Sequence, residues 1–281
     1  MLTFRTAFHY LLQQLKPLYP DREAHTITAY VFEDLFRLKG TPDNRAFVQS
    51  DELTAVGERL GRGEPWQYVT GAADFFGLKF KVNSAVLIPR PETAELVDLI
   101  LQKIPKIPQT VLDVGTGSGC IPVTLKKKRP VWNVAGWDVS NAALRVAAEN
   151  AAWHQVDVAF SVVDVLREED WPAPLALDVL VSNPPYIPHR EKDRIGPFTR
   201  QFEPELALFV PDDRPLLFYE TIGRLGRKHL RPHGHLFFEC NEYNAVDVQS
   251  MLGKTGFRSV QLLNDMQRKP RIVWARQYSP K

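Results

Sequence analysis

The sequence predicts an α/β protein in which a Rossmann-like, seven-stranded, mostly parallel sheet follows a small helical bundle and a β-hairpin linker. Three observations support this fold class. Residues 1–70 repeat apolar side chains at helical spacing, residues 74–90 form short apolar stretches between turn residues, and helical and strand patterns then alternate to the end of the chain. Alternating strands and helices build a mostly parallel sheet with helices on both faces. We therefore predict an N-terminal helical domain over 1–72, a hairpin linker over 73–90 and a large domain over 91–281.

The helical domain is predicted from apolar residues at steps of three and four, which form one face of a helix. The first set follows a Pro20-Asp21 start signal. The two sets are Ala24, Ile27, Val31 and Leu35, and then Leu53, Val56 and Leu60. In the hairpin, Gly77 and the pair Asn83-Ser84 are the turn signals.

The large domain alternates predicted strands with predicted helices. The helices are expected from Pro91 to Ile104, after Gly119, from Ser140 to Trp153 and around 214–230. The strands are expected at 111–114, 133–139, 158–165, 177–182, 235–240, 259–263 and 271–276. Only residues 264–270 separate the last two strands, so these two should pair antiparallel.

Composition is that of an ordinary globular protein, with 44% hydrophobic and 24% charged residues among 281. A formal charge of +2 without a long basic run is weak support for nucleic-acid binding, and none is expected. No apolar run approaches the roughly 18 residues of a membrane span, so we expect a cytoplasmic protein without a membrane partner. Cys120 and Cys240 are expected to be reduced, and no cluster has metal-ligand spacing, so no metal site is predicted.

A glycine-rich turn after the first strand of the large domain predicts a cofactor site. The stretch VLDVGTGSGC runs from a strand into Gly115, Thr116, Gly117, Ser118 and Gly119, and a helix follows. Glycines let the backbone approach a ligand closely, and the helix N-terminus adds unpaired N–H donors. The dinucleotide fingerprint would need glycine where Cys120 stands, which argues against NAD.

Acidic residues at strand ends refine the prediction of the cofactor. Asp138 ends the next strand, where a carboxylate can accept hydrogen bonds from two ribose hydroxyls. Asp164 ends the third strand and is placed, with its neighbour Val165, to line an adenine pocket. Asp113 precedes the glycines, and an acid there favours the positively charged S-adenosylmethionine over a pyrophosphate.

The tetrapeptide NPPY follows the fourth strand and predicts a rigid acceptor for an –NH₂ group. Asn183 offers a side-chain carbonyl, while Pro184 and Pro185 have fixed φ, no N–H and free carbonyl groups. Two hydrogen bonds accepted from an amide or aromatic –NH₂ would orient its nitrogen lone pair toward a methyl donor. Tyr186 would supply a flat wall for a planar group. We predict Asn183, Pro184 and Tyr186 as catalytic residues acting by positioning, with Pro185 as a further substrate contact.

Several motifs together resemble the HemK/PrmC family of protein-(glutamine-N5) methyltransferases. They are GEPWQYVTG, FFGLKFKV, VLIPRPET, DVGTGSG, WDVS, VSNPPYIP and FEPELAL, and the likeness runs from about residue 60 to the C-terminus. The resemblance implies a class I S-adenosylmethionine-dependent methyltransferase whose substrate is the glutamine of the GGQ loop in class-1 peptide-chain release factors. It also implies that the glycine loop, Asp138 and Asn183 hold the cofactor, and that Asn183 to Tyr186 grip the glutamine.

The resemblance leaves some positions undefined. It places Ile88, Arg90 and Glu92 beside the pocket, and an interdomain salt bridge is as good an account of Arg90 and Glu92 as a catalytic role. The stretches VPDDRP and DMQRKPR depart from the family pattern, which leaves the outer substrate contacts undefined.

Two other functions compete with this interpretation. An N6-adenine methyltransferase acting on DNA or RNA would present a similar –NH₂ group to the NPPY loop after base flipping, but the chain shows no basic channel. A non-catalytic module that binds a nucleotide-like ligand is a more remote alternative, because the glycines and Asn183 are intact.

Overall fold

The computed structural model describes residues 2–47, 50–172 and 176–277. They form two units, one containing the chain up to Ala72 together with Gly196–Phe202, and the other containing Ala73–Ile195 and the chain from Glu203 onward. The helices and strands, in chain order, are β1 (Leu2–Thr3), α1 (Phe4–Leu15), α2 (Asp21–Phe36), β2 (Ala46–Phe47), α3 (Ser50–Gly61), α4 (Trp66–Thr70), β3 (Ala72–Phe75), β4 (Leu78–Lys81), α5 (Pro91–Lys103), β5 (Thr110–Val114), α6 (Cys120–Lys128), β6 (Asn133–Asp138), α7 (Asn141–Trp153), β7 (Ala159–Val162), β8 (Leu177–Ser182), β9 (Ile187–Pro188), α8 (Pro197–Phe202), β10 (Phe209–Val210), α9 (Leu217–His229), β11 (Leu230–Glu239), α10 (Ala245–Lys254), β12 (Arg258–Asn264) and β13 (Pro270–Arg276). No helix within the described ranges is both long enough and apolar enough to cross a membrane.

The N-terminal unit is helical, as predicted, and its core is rich in aromatic side chains. Helix α1 begins at a capping box in which Thr3 and Thr6 exchange backbone and side-chain hydrogen bonds. Behind this cap, Phe4 packs on Phe32, with ring centroids 5.2 Å apart. Six of the predicted core residues are buried and Leu35 is partly buried; the six are Ala24, Ile27, Val31, Leu53, Val56 and Leu60.

The second unit contains the predicted seven-stranded sheet, with strand order β12-β13-β11-β8-β5-β6-β7. Strands β5 to β8 and β11 run parallel, and β13 pairs antiparallel with both β11 and β12. The fold class and the antiparallel pairing of the last two strands are therefore confirmed. A two-residue turn joins β3 and β4 into a hairpin. Its residues, Phe76 and Gly77, both have positive φ.

Alternating side chains of the central strands enter two different cores, one on each face of the sheet. In β8, Leu180 belongs to the core that includes residues of α9 and α10, while Val179 and Val181 belong to the core that includes α5 and α6. These central strands are buried on both faces, which explains their continuous apolar sequences.

Helix α10 is absent from the sequence prediction. It lies between β11 and β12 and buries Ala245, Val248 and Leu252. Those residues are three and four positions apart, so the helical signal was present in the sequence. The observed β11 also begins at Leu230, earlier than predicted, with an irregularity before His235.

Candidate active site

The glycine loop and the NPPY loop leave the sheet side by side. Strands β5 and β8 are parallel neighbours in which Val114 is paired with Ser182, the last residue of each strand. The Ser182 hydroxyl also donates a 2.6 Å hydrogen bond to the carbonyl of Val114. The two predicted loops therefore start from one point at the carboxyl edge of the sheet, where ligands bind in open α/β folds.

A cavity of about 270 Å³ opens at this edge within the second unit. Ten of the residues predicted for the site line it: Gly115, Thr116, Gly117, Ser118, Asp138, Asp164, Val165, Asn183, Pro184 and Pro185. Gly119 and Tyr186 do not line the cavity. The structure thus brings the predicted cofactor and substrate residues together around a single space.

The three glycines of the loop all adopt left-handed backbone angles, with φ of 74° at Gly115, 54° at Gly117 and 76° at Gly119. At Gly119 a Cβ atom would also lie 3.0 Å from the Cβ of Ala147, tighter than ordinary packing. Gly119 therefore allows α6 to begin close to α7. It does not line the cavity itself, but its backbone angles help to set the shape of the loop that does.

Asp138 fixes the loop from the end of β6. One carboxylate oxygen accepts a hydrogen bond from the Gly117 N–H at 2.9 Å, and the other accepts from the Ser140 N–H at 2.9 Å. Burial raises the pKa of Asp138, and these backbone donors oppose that shift. Each carboxylate oxygen retains acceptor capacity for a ligand, since a carboxylate has about four lone-pair sites.

Asp113 lies behind the cavity and is fully buried. Neither of its carboxylate oxygens makes a well-formed hydrogen bond with the described residues. Burial is the main cause that raises the pKa of Asp113 to about 7, and the negative charge of Asp138 adds to it. Asp113 is not among the residues that line the cavity, and the expectation that it lies beside the charged part of a cofactor stays a prediction.

Asn183 is held by side chains from two other elements. Its Nδ2–H donates to the Thr93 hydroxyl at 3.2 Å, and that hydroxyl donates to Glu239 Oε2 at 2.6 Å. Thr93 lies in the first turn of α5, and Glu239 ends β11. Sequence reasoning missed both residues, although Thr93 belongs to the PRPET stretch.

Tyr186 packs against the core on the α9 side of the sheet. Burial is the main cause that raises the pKa of its hydroxyl, and the nearby Glu239 carboxylate adds to it. The stacking role predicted for this ring stays a prediction, because the cavity wall is formed by Pro184 and Pro185 and does not include Tyr186.

Two further chain segments contribute to the cavity wall, and of their residues the sequence analysis had placed only Ile88 beside the pocket. The first segment is 85–89, and the second contributes Pro204, Leu206 and Ala207. They are joined by Glu203, which accepts from Arg90 at 2.5 Å and from the Ile88 N–H at 3.2 Å. Glu203 is buried, so this pair ties the PRPET stretch to the FEPELAL stretch. It accounts for Arg90 by an ion pair within the second unit, where the sequence left the role open.

Comparison with known proteins identifies the family. Residues 95–198 match the family model of the methyltransferase small domain. A release factor glutamine methyltransferase of Bacteroides thetaiotaomicron is 39% identical over 272 residues, covering 95% of this chain and 97% of that protein. One of Flavobacterium psychrophilum is 36% identical over 280 residues, covering 96% of each chain.

Solved structures share the fold of the second unit. A methyltransferase from Pyrococcus furiosus matches with a TM-score of 0.53 at 16% identity, over 73% of this chain and 91% of that one. The motif resemblance is thus confirmed by relatives that match nearly the whole chain. The chain belongs to the release factor glutamine methyltransferase family.

Proposed function

We propose that this protein transfers a methyl group from S-adenosylmethionine to the side-chain nitrogen, N5, of the glutamine in the GGQ loop of class-1 release factors, in the cytoplasm. The observation that carries the proposal is that the Asn183 amide, fixed by a hydrogen bond, lines the same cavity as the glycine loop. Family membership supports the same reaction.

The residues of the cavity fit the proposed cofactor. Its volume of about 270 Å³ lies near the lower end of small-ligand sites, which begin at about 300 Å³. Gly115 and Gly117 would allow close approach of the amino acid part, because their backbones carry no Cβ. Asp138 would accept hydrogen bonds from ribose hydroxyls, and Asp164 with Val165 would border the adenine.

The chemistry requires orientation more than acid or base strength. When bound, S-adenosylmethionine would supply an electrophilic methyl group on a positively charged sulfur, and the neutral thioether would be the leaving group. An amide nitrogen is a poor nucleophile, because its lone pair is delocalised into the carbonyl. The side-chain oxygen of Asn183 and the carbonyl groups of the two prolines would accept hydrogen bonds from the NH₂ group of the glutamine. These bonds would hold the glutamine nitrogen in line with the methyl group. On methylation N5 would lose one proton to solvent water, so that the products are a neutral N-methyl amide, a neutral thioether and a solvated proton.

Mass spectrometry of a release factor incubated with the enzyme and S-adenosylmethionine tests the proposal. We expect one added methyl group on the GGQ glutamine, and none on a release factor in which alanine replaces that glutamine. Asn183→Ala should lower kcat by about 100-fold or more, as loss of a positioning group does. Greater labelling of an adenine-containing DNA or RNA oligonucleotide than of the release factor would support the adenine methyltransferase instead.

A further inference from the structure

A buried chain of hydrogen bonds supports Asn183, and its two other members are not assigned a role in the function proposed above. It runs from Asn183 through Thr93 to Glu239. Thr93 is 3% exposed and Glu239 is 2% exposed, so water does not compete freely for these bonds. The three residues come from three separate elements: the NPPY loop, α5 and β11.

The direction of each hydrogen bond in this chain follows from the available protons. An ionised carboxylate can only accept, so the single hydroxyl proton of Thr93 is donated to Glu239. The Thr93 oxygen is then left with lone pairs, which accept a hydrogen bond from the Asn183 NH₂ group. With its NH₂ group held at Thr93, the asparagine carbonyl oxygen lies on the opposite side of the amide.

We propose that Thr93 and Glu239 are positioning residues that select this one orientation of the Asn183 amide and so keep its Oδ1 available to the substrate. The inference rests on the proposed function, in which Oδ1 accepts an N–H of the glutamine. A reversed amide would present its own NH₂ group to the NH₂ group of the substrate. Two donors facing each other cannot form a hydrogen bond, so the reversed orientation is inactive.

The surroundings of Glu239 make the direction of the chain sensitive to pH. Burial is the main cause that raises the pKa of Glu239 to about 7, and the charge of Glu92 adds to the shift. The hydrogen bond from Thr93 and the positive charges of Arg271 and Arg90 oppose it. Below that pH a protonated Glu239 can donate to Thr93, which frees the threonine proton to turn toward Asn183. The titratable and charged groups that interact with Glu239 are Arg90 and Glu92 at the start of α5, Cys120 of α6, Arg271 of β13, Tyr186 after β8, Tyr219 of α9 and the adjacent Cys240.

Substitutions at Thr93 test the hydroxyl directly. Thr93→Val keeps the side-chain shape and removes the hydroxyl, and we expect the methyl-transfer rate to fall by about 10-fold or more. Thr93→Ser restores the hydroxyl and should recover the rate to within about 3-fold of the unmodified enzyme. Thr124→Val is the matched control, because Thr124 is fully buried on α6 and its hydroxyl has no hydrogen-bond partner in the described part of the chain. A Thr93→Val rate within about 2-fold of the unmodified enzyme, or a serine variant as slow as the valine variant, would overturn the inference.

Glu239→Gln tests the direction of the chain. A glutamine can either donate or accept, so it no longer selects the proton position on Thr93. The unmodified enzyme should lose activity as the pH falls through about 7, since the raised pKa means that Glu239 becomes protonated there. The variant should be slower by about 10-fold near pH 8 and nearly independent of pH below it. A variant that keeps the full acid loss of the unmodified enzyme would contradict the assignment of that loss to Glu239.

A readout that does not depend on catalysis separates this inference from the proposed function. In ¹⁵N-labelled protein, the side-chain NH₂ signal of Asn183 can be assigned as the signal missing in Asn183→Ala. We expect slow hydrogen exchange at this NH₂ in the unmodified protein, about 10-fold or more faster exchange in Thr93→Val, and slow exchange in Thr93→Ser. Unchanged exchange in Thr93→Val overturns the inference even if the enzyme methylates release factors. Failure of the unmodified enzyme to methylate any release factor, with the expected exchange pattern, overturns the proposed function and leaves the positioning of Asn183 supported.

Discussion

Each carboxylate oxygen of Asp138 accepts a backbone hydrogen bond. One comes from Gly117 in the glycine loop, and the other comes from Ser140, the residue directly before α7. The residue therefore shapes the loop as well as facing the cavity. A substitution at this position should weaken cofactor binding by two routes, through the lost ligand contact and through the loosened loop.

Asp138→Ala should weaken S-adenosylmethionine binding by roughly 2 to 3 kcal/mol, because charge-assisted hydrogen bonds are lost. Titration calorimetry measures this directly. Asp157→Ala is the control, since Asp157 is exposed and does not line the cavity, and its affinity should be unchanged. Equal affinities for the two variants would exclude Asp138 from the cofactor site.

The buried carboxyl group of Asp113 should make the free energy of unfolding depend on pH. Its pKa is raised by burial from the ordinary 3.8 to about 7, so the folded protein binds a proton that the unfolded chain releases. Stability from this group is fully present below about pH 4 and is lost as the pH rises to about 7. Asp113→Asn should therefore flatten the decline in unfolding free energy between about pH 4 and pH 7, as measured by denaturant titration. Parallel curves for the two proteins would show that Asp113 is not responsible.

At the scale of elements, the β-hairpin, the glycine loop and α7 are joined by one buried side chain. Asn150 of α7 accepts from the Lys81 N–H at 2.7 Å and donates to the carbonyls of Lys81 and Ser118 at 3.0 and 2.9 Å. It is fully buried. The end of the hairpin and the loop that lines the cavity are thus held at a fixed separation.

Asn150→Ala should lower the free energy of unfolding by about 2 to 4 kcal/mol, because it leaves buried backbone groups without partners. Chemical denaturation measures the change. Asn141→Ala lies on the same helix but is exposed, and should change stability by less than about 0.5 kcal/mol. A similar loss in both variants would indicate a general effect on α7.

The elements could be predicted where the sequence carried a local period. The seven strands and the helices between them are apolar segments bounded by turns, and the ends of β5, β6 and β8 placed the glycine loop, Asp138 and Asn183 on one edge. The pairs β1–β2 and β9–β10 have only two residues in each strand, too few to show a period. Helix α10 was missed although its spacing was visible.

The site was predicted only in part, because part of its wall depends on distant contacts. Arg90 and Glu203 are 113 positions apart, and Thr93 and Glu239 are 146 apart. No local pattern indicates which distant side chains will meet, so the wall formed by Pro204, Leu206 and Ala207 and the support of Asn183 required the structure, whereas Ile88 had been placed beside the pocket by resemblance. Tyr186 packs against the core and does not line the cavity, and its predicted stacking role stays a prediction.

At the scale of the whole molecule, the chain enters the N-terminal unit twice. Residues up to Ala72 form most of that unit, and Gly196–Phe202 joins it from the middle of the sequence. Phe198 of α8 packs on Tyr19, with ring centroids 5.8 Å apart, and occupies the space that a Cβ at Gly63 would need. Gly63 also has a φ of 83°, which a residue with a side chain rarely adopts.

A chain that begins at Ala73 should retain S-adenosylmethionine binding, because the residues that line the cavity all lie after this point. We expect it to lose most activity on an intact release factor, since remote contacts contribute the binding energy that positions the reacting group. Calorimetry and methyl-transfer assays give the two readouts. Activity close to that of the full chain would show that residues 1–72 do not take part in docking the substrate.

The second entry of the chain, through α8, has a consequence for how the protein can be divided. A single proteolytic cut between residues 72 and 73 would break the covalent link to the N-terminal segment. Helix α8 would still belong to the same unit as that segment, with Phe198 packed on Tyr19. The two fragments should then co-purify, and residues 1–72 added separately should restore activity to the shortened chain by fragment complementation. Phe198→Ala would abolish that rescue, so one aromatic ring decides whether the protein can be reassembled from its parts.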